Sequence, residues 1–131
     1  MKSITVDTNA FSALAKGDSL VKKVVELADD VLVPVMVIAE LKFGFKNGTK
    51  ESYNNGLLQE FLSLPRVETI HTTDRSAQIY AELATSLKRK GKPIPINDIW
   101  IAALAMEHNS VVVTYDKHFL IIEELKVWHE I

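Results

Sequence analysis

Two alternating patterns of hydrophobic and polar positions run along this chain. Short runs rich in Val and Ile, bounded by polar or turn-forming residues, predict buried β-strands. The predicted strands cover residues 4–6, 31–33, 67–70, 111–114 and 126–128. Between them, apolar residues recur at the spacing of a helix with one face on a core. These helical stripes lie at residues 20–28, 57–62 and 73–90, and further helices are predicted after residue 7, around residue 40 and over residues 98–108.

Strands that alternate with helices predict a parallel sheet. Right-handed crossover connections then place helices on both faces of that sheet. The expected fold is therefore a three-layer α/β/α domain around a twisted parallel sheet of four to five strands. No internal repeat, low-complexity tract or linker divides the sequence, so we expect residues 1–131 to form a single domain.

Composition excludes several classes of chemistry. The 131 residues are 47% hydrophobic, which is ordinary for a globular protein. The absence of cysteine excludes disulfides, thiolate zinc sites and cysteine nucleophiles. Asp7 interrupts the apolar region that a signal peptide would need, and the longest apolar run contains Pro34 and is too short to span a bilayer. We therefore expect a cytoplasmic protein with no membrane partner.

Four acidic side chains stand alone in apolar or small-residue surroundings. They are Asp7 in ITVDTN, Glu40 in VMVIAELKFG, Asp98 in INDIWIAALA and Asp116 in VVVTYDKHF. An unpaired carboxylate in a buried segment is costly or keeps its proton, so four of them need a cation. Clustered oxygen ligands favour Mg²⁺ or Mn²⁺, which indicates a metal-dependent enzyme acting on phosphate esters.

The predicted topology gives these four side chains a common location. In an open parallel sheet, ligands bind beyond the carboxyl ends of the strands. Asp7 lies at the end of the first predicted strand, and Asp116 comes shortly after the run Val111–Val113. Asp98 begins a predicted helix, and Glu40 lies one to two turns into another. All four are therefore expected on the same edge of the sheet.

Local structural roles stay open for each acid. Asp7 or one of the two residues after it could cap the next helix, Asn97 could cap the helix that contains Asp98, and Asp116 could form an Asx-turn. Glu40 is harder to explain in this way, because apolar residues surround it within a helix. Capping explains any one of these residues more readily than it explains all four together.

The segments VDTNAF, VIAELKFG, INDIWIAALA and VVTYDKHF resemble the four signature segments of PIN domains in order, spacing and neighbouring hydrophobic residues. The resemblance runs from about Ile4 to Trp128. A chain of this length is most similar to the VapC-type toxin ribonucleases of bacterial and archaeal toxin–antitoxin pairs. That resemblance implies a twisted parallel sheet between helices, Mg²⁺- or Mn²⁺-dependent cleavage of RNA, a homodimer, and inhibition by a small DNA-binding antitoxin. Each acidic position of the family is present.

The resemblance and the chemistry of the residues together suggest individual roles. Asp7, Glu40, Asp98 and Asp116 are expected to hold one or two divalent ions, with a metal-activated water attacking the phosphorus in line. We expect Asp7 and Asp98 to bind directly, whereas Glu40 and Asp116 could bind directly, bind through water or orient the nucleophile. Short polar side chains beside the acids are suited to hydrogen bonds that orient them, with capping an equal explanation for the two asparagines. These are Thr8, Asn9, Asn97 and Thr114.

The charge balance is compatible with an RNA partner once the acids are set aside. The net charge is −2, but without the four candidate ligands 15 basic residues face 13 of the 17 acidic ones, a formal charge of +2. Lys42, Lys46 and the cluster at residues 88–92 are candidates for steering RNA phosphates, and a solvated helix face or helix end is the alternative. Phe43 and Phe45 cannot share one helix face, so one of them is expected to be available to a partner.

Three other functions stay open from the sequence. A pair of histidines could cleave RNA through the 2′-hydroxyl, although only His118 lies near an acidic motif. A phosphatase of the aspartyl-phosphate type would also place an Asp after the first strand, but it normally needs a second Asp where this chain has Asn9. A PIN-like domain could instead bind RNA or a partner protein without cleaving, and the intact set of acids argues against this.

Overall fold

The computed structural model describes residues 3–128. Its strands and helices follow one another in alternation, as the sequence predicts. They are β1 (Ser3–Val6), α1 (Thr8–Ala15), α2 (Ser19–Leu27), β2 (Asp30–Pro34), α3 (Val35–Lys46), α4 (Glu51–Leu62), β3 (Val67–Ile70), α5 (Asp74–Arg89), α6 (Ile96–Glu107), β4 (Val111–Val113), a 3₁₀ helix (Lys117–Ile121) and β5 (Val127–Trp128). Within residues 3–128, no helix has both the length and the apolar character needed to cross a membrane.

The five strands form one parallel sheet in the order β3-β2-β1-β4-β5. Ile4 of β1 lies opposite Val31 of β2 on one side and Val111 of β4 on the other. The chain runs outward from β1 through β2 to β3 and then crosses back to place β4 beside β1. The strand order therefore reverses between β1 and β4, and a crevice forms at such a reversal in parallel sheets.

The helices cover both faces of this sheet. Helices α1 to α4 pack among themselves, and α5 packs against α6. Right-handed crossovers place these two groups on opposite faces. Strands enclosed in this way are buried on both sides, which explains their continuous Val and Ile runs. Ile4, Val31 and Val112, for example, are fully buried. The predicted three-layer α/β/α architecture is confirmed.

Some element boundaries differ from those predicted. Helix α6 begins at Ile96 and not at Asp98, because the carbonyl of Pro95 already accepts hydrogen bonds from the backbone N–H groups of Asp98 (3.1 Å) and Ile99 (3.2 Å). Helix α4 begins at Glu51, well before the apolar stripe at residues 57–62. Its first turns show no stripe because their side chains are polar and mostly exposed or half-buried.

Candidate functional site

The structure brings the four predicted acids into one open cleft of about 500 Å³ at the carboxyl edge of the sheet. The cleft lies where the strand order reverses, between the ends of β1 and β4. Helices α1, α3 and α6 supply the rest of its wall. The residues that line it are Asp7, Thr8, Asn9, Glu40, Pro95, Ile96, Asn97, Asp98, Ile101, Asp116 and His118. Four carboxylates distant in sequence therefore face a common space.

Asp7 is fixed at the floor of the cleft by two hydrogen bonds. It follows β1 directly and caps α1, because its Oδ1 accepts a hydrogen bond from the backbone N–H of Ala10 at 2.7 Å. Its Oδ2 accepts a hydrogen bond from the Thr114 hydroxyl. Only 4% of Asp7 is exposed. The capping role considered from the sequence is thus present, and it coexists with a position facing the other acids.

Glu40 approaches from α3 and is held by a neighbour of Asp7. The Thr8 hydroxyl donates a hydrogen bond to Glu40 Oε1 at 3.0 Å. Both residues are half-buried, and they lie 32 positions apart in sequence. This contact links the first turn of α1 to the second turn of α3, so the Glu40 carboxylate has a defined orientation towards the cleft.

Asp98 lies in the first turn of α6, where its charge interacts favourably with the helix N-terminus. Asn97 lies in the same turn but does not cap the helix, because α6 already begins at Ile96 with Pro95 at the capping position. Within residues 3–128, neither Asn97 nor Asn9 hydrogen-bonds to one of the four carboxylates. Both asparagines line the cleft and are exposed.

Asp116 caps the short 3₁₀ helix after β4. Its Oδ1 accepts a hydrogen bond from the backbone N–H of His118 at 2.9 Å, which is the local turn expected from the sequence. The backbone N–H of Asp116 in turn donates to the Thr114 hydroxyl oxygen at 2.8 Å. The Thr114 hydroxyl therefore bridges the backbone of Asp116 and the carboxylate of Asp7, which fixes the position of one residue relative to the other.

His118 is a neighbour of the acids that sequence reasoning did not place in the cluster. Its Nδ1 lies 3.0 Å from Asp116 Oδ1 and 3.6 Å from Asp98 Oδ2. The turn at Asp116 causes this, since it folds the residue two positions later back towards the carboxylate. The sequence signal that could have indicated this contact is the position of His118 two residues after Asp116.

The clustering changes the acidity of two of the four carboxyl groups. Burial raises the pKa of Asp7 to about 6 from an ordinary 3.8, and the hydrogen bonds from Thr114 and Ala10 oppose part of this increase. Burial likewise raises the pKa of Asp98 to about 6, with repulsion from Asp116 adding to it and His118 opposing it. In both groups burial is the main cause, and repulsion from neighbouring carboxylates adds to it.

A divalent cation fits this donor set. None of the described residues that line the cleft is Lys or Arg, so the carboxylates are not neutralised by side-chain cations of that kind. One ligand atom each from Asp98, Asp116 and His118 lie within 4.8 Å of one another. Carboxylate oxygens at such spacing suit Mg²⁺ or Mn²⁺. The cluster of acidic residues is therefore able to bind a metal ion.

The basic residues considered for RNA steering lie outside the cleft lining. Lys46 pairs with Glu51 at 3.3 Å, and Lys90 pairs with Glu123 at 3.6 Å, both on the surface. Phe43 is 72% exposed while Phe45 packs partly against the core, as the helix geometry requires. None of these groups belongs to the lining of the acidic cleft.

Comparison with known proteins identifies the family. The family model of the PIN domain matches residues 4–125. Ribonuclease VapC5 from Mycobacterium tuberculosis is 30% identical over 118 residues, which make up 90% of this chain and 86% of that protein.

Solved structures agree with this match. A chain in the crystal structure of VapBC2 from Rickettsia felis bound to a DNA fragment from their promoter has a TM-score of 0.87 and 29% identity, with 100% of both chains covered. A chain in the structure of VapBC-1 from nontypeable Haemophilus influenzae has a TM-score of 0.83 and 25% identity, with 98% of both chains covered. The chain therefore belongs to the PIN domain family, in its VapC-type branch.

Proposed function

We propose that this protein is a divalent-metal-dependent endoribonuclease and the toxin of a toxin–antitoxin pair. The observation that supports this best is the convergence of Asp7, Glu40, Asp98 and Asp116 from four separate elements into one cleft. The names of its relatives agree, since several are called ribonuclease VapC and the similar structures are VapBC assemblies. The cleft is open, as a polymeric substrate requires.

The four carboxylates are the groups that would hold the ion. Asp7 and Asp98 would bind it directly, because burial and repulsion from neighbouring carboxylates give their charged forms the most to gain from a cation. Glu40 and Asp116 complete the negative cluster. When bound by these residues, one or two Mg²⁺ or Mn²⁺ ions would supply the chemistry of activating a water for in-line attack on phosphorus and of stabilising charge on the leaving 3′-oxygen.

The hydroxyls of Thr8 and Thr114 position the carboxylates that surround the ion. Thr8 donates a hydrogen bond to Glu40 Oε1 and Thr114 donates one to Asp7 Oδ2, so both carboxylates have a defined orientation. Asn9 and Asn97 are exposed on the wall of the cleft, where they are available to hydrogen-bond an incoming RNA strand. The two threonines thus orient the acids, whereas the two asparagines contact the substrate.

The partners follow from the same site. RNA is the substrate, and a small DNA-binding antitoxin inhibits the protein, as the VapBC assemblies of its relatives suggest. The protein forms a homodimer in the cytoplasm. An antitoxin segment that carries Arg or Lys would enter a cleft with four carboxylates, because charge-assisted pairing there is strong.

The alternative functions receive less support. A non-cleaving PIN-like module would not need all four acids in one cleft. A metal-dependent phosphatase of the aspartyl-phosphate type would normally need a second Asp at the position of Asn9, and that side chain is an exposed amide.

The test is RNA cleavage by Asp98→Asn, which removes one charge and keeps the shape of the side chain. We expect a loss of activity of about 100-fold or more, because a metal ligand is lost. The matched control is Asp74→Asn, an exposed acid in the first turn of α5, which should cleave like the wild type. Excess EDTA should abolish cleavage in the wild type and in the control.

End-group analysis of the products adds a second criterion. Attack by water on phosphorus breaks the bond to the 3′-oxygen, so the products carry a 5′-phosphate and a 3′-hydroxyl. A 2′,3′-cyclic phosphate, or full activity of both Asp7→Asn and Asp98→Asn, would transfer the chemistry to the histidines and remove the metal site.

A further inference from the structure

One nitrogen donor lies within the acidic cluster. His118 Nδ1 is 3.0 Å from Asp116 Oδ1 and 3.6 Å from Asp98 Oδ2. Among the described residues of the cleft lining, His118 is the one side chain able to offer nitrogen through an imidazole. The other donors there are carboxylate, amide and hydroxyl groups. The cluster is therefore not built from oxygen alone.

These distances are compatible with three ligands that share one ion. Octahedral Mg²⁺ and similar ions hold their ligands at about 2.0–2.1 Å, which places adjacent ligands about 3.0 Å apart and opposite ligands about 4.2 Å apart. The separations of His118 Nδ1 from the two carboxylate oxygens fall within this interval. His118, Asp98 and Asp116 can each offer one ligand atom such that the three atoms lie within 4.8 Å of one another. Little rearrangement is needed to place them around one cation.

The backbone holds His118 in this position. Its N–H donates to Asp116 Oδ1 at 2.9 Å, and it lies inside the 3₁₀ helix that Asp116 caps. The next residue, Phe119, is fully buried and anchors the segment in the core. Since 49% of the His118 side chain is exposed, the ring itself does not serve core packing. A fixed backbone with a half-exposed ring suits a ligand.

We propose that His118 Nδ1, with Asp98 and Asp116, forms a mixed nitrogen and oxygen metal position that favours Mn²⁺ over Mg²⁺. Imidazole binds transition-metal ions well, whereas Mg²⁺ prefers oxygen ligands. This inference rests on the proposed metal-dependent nuclease and goes beyond the four carboxylates. The competing explanation is that His118 serves as a cation that neutralises the two acids and is displaced when the metal arrives.

Pulsed electron paramagnetic resonance of bound Mn²⁺ decides between these explanations, because nitrogen bonded directly to Mn²⁺ produces a ¹⁴N coupling. The wild type, loaded with Mn²⁺ at pH 8, should show this coupling, and His118→Ala should lose it. His71→Ala is the matched control, since His71 is exposed and lies outside the cleft lining. It should keep the coupling.

Equilibrium titrations give the selectivity. We expect His118→Ala to raise the Mn²⁺ dissociation constant by about tenfold or more and to change that of Mg²⁺ by less than about threefold. Bound Mn²⁺ without ¹⁴N coupling, or tighter Mn²⁺ binding in His118→Ala, would overturn the histidine ligand and leave the proposed nuclease standing. No binding of Mn²⁺ to the wild type would overturn both.

Discussion

Asp7 shows how a single carboxyl group both supports the fold and opposes it. Its oxygens cap α1 and accept a hydrogen bond from Thr114, which favours the ionised form. Burial outweighs this and raises its pKa to about 6. The folded protein then holds a proton on Asp7 at pH values where the unfolded chain has lost it. The stability of the metal-free protein therefore falls as pH rises from about 4 to above 6.

Asp7→Asn removes this pH-dependent penalty while keeping the shape of the side chain. In EDTA at pH 8, we expect the free energy of unfolding to rise by up to about 3 kcal/mol, since two pKa units correspond to about that amount. At pH 4 the wild-type group is largely protonated, so the difference should nearly vanish. Urea unfolding followed by circular dichroism at both pH values measures this.

Saturating Mn²⁺ supplies the control for that experiment. The ion should stabilise the wild type and not Asp7→Asn, because ligand binding to the native state adds to its stability. A variant that is less stable than the wild type in EDTA at pH 8 would contradict the prediction. It would mean that the two hydrogen bonds of the ionised group outweigh its burial.

At the scale of elements, Arg66 connects a helix end to the start of a strand. It lies just before β3, and its Nη1 donates hydrogen bonds to the carbonyls of Val25 (2.8 Å) and Ala28, at the end of α2. The last carbonyls of a helix have no partners within the helix, so a cationic donor there is favourable. The contact ties α2 to the β2–β3 side of the sheet, away from the cleft.

Arg66→Ala should lower the free energy of unfolding by about 1–3 kcal/mol, because it removes charge-assisted hydrogen bonds from half-buried carbonyls. Mn²⁺ affinity of the folded variant should not change, since Arg66 does not line the cleft. Arg89→Ala, an exposed residue at the end of α5, should cost less than about 0.5 kcal/mol. Equal losses in the two variants, measured by urea unfolding, would argue against a specific role for the Arg66 contact.

At the scale of the whole molecule, the acidic cleft does not include the exposed aromatic side chain of α3. Of the two phenylalanines considered for a partner, Phe45 packs partly against the core, and Leu58 and Phe61 of α4 are likewise core residues, at 2% and 7% exposure. Phe43 remains exposed on α3. An antitoxin that inserts a cation into the cleft would need apolar contacts of this kind close by.

Co-expression with the product of any small gene that lies immediately upstream tests the toxin assignment. We expect a stable complex with no ribonuclease activity, and a homodimer of the toxin by light scattering. Growth should slow when the toxin is expressed alone, and Asp98→Asn should remove that effect. A monomeric, fully active nuclease that co-purifies with no partner and does not slow growth would leave the PIN fold intact but refute the assignment.

The sequence by itself determined the local features of this protein. Strands and helices follow from the period of apolar positions, which is set by backbone geometry alone. The four acids were identifiable because each lies in a segment where a carboxylate is costly. Their common edge followed from a general property of parallel sheets. The sequence defined helix starts less sharply, because helix propensity changes little between neighbouring positions. The helix predicted to begin at Asp98, for example, begins at Ile96, directly after Pro95.

Only the tertiary structure decided the distances between residues remote in sequence. Thr114 meets Asp7 across 107 positions because β4 returns to lie beside β1, and no local pattern encodes that pairing. The pKa values of Asp7 and Asp98 depend on burial and on neighbours that the folded sheet brings together. His118 joins Asp98 in the same way. Such contacts arise from long-range packing, whereas sequence periodicity reports only which face of each element is buried.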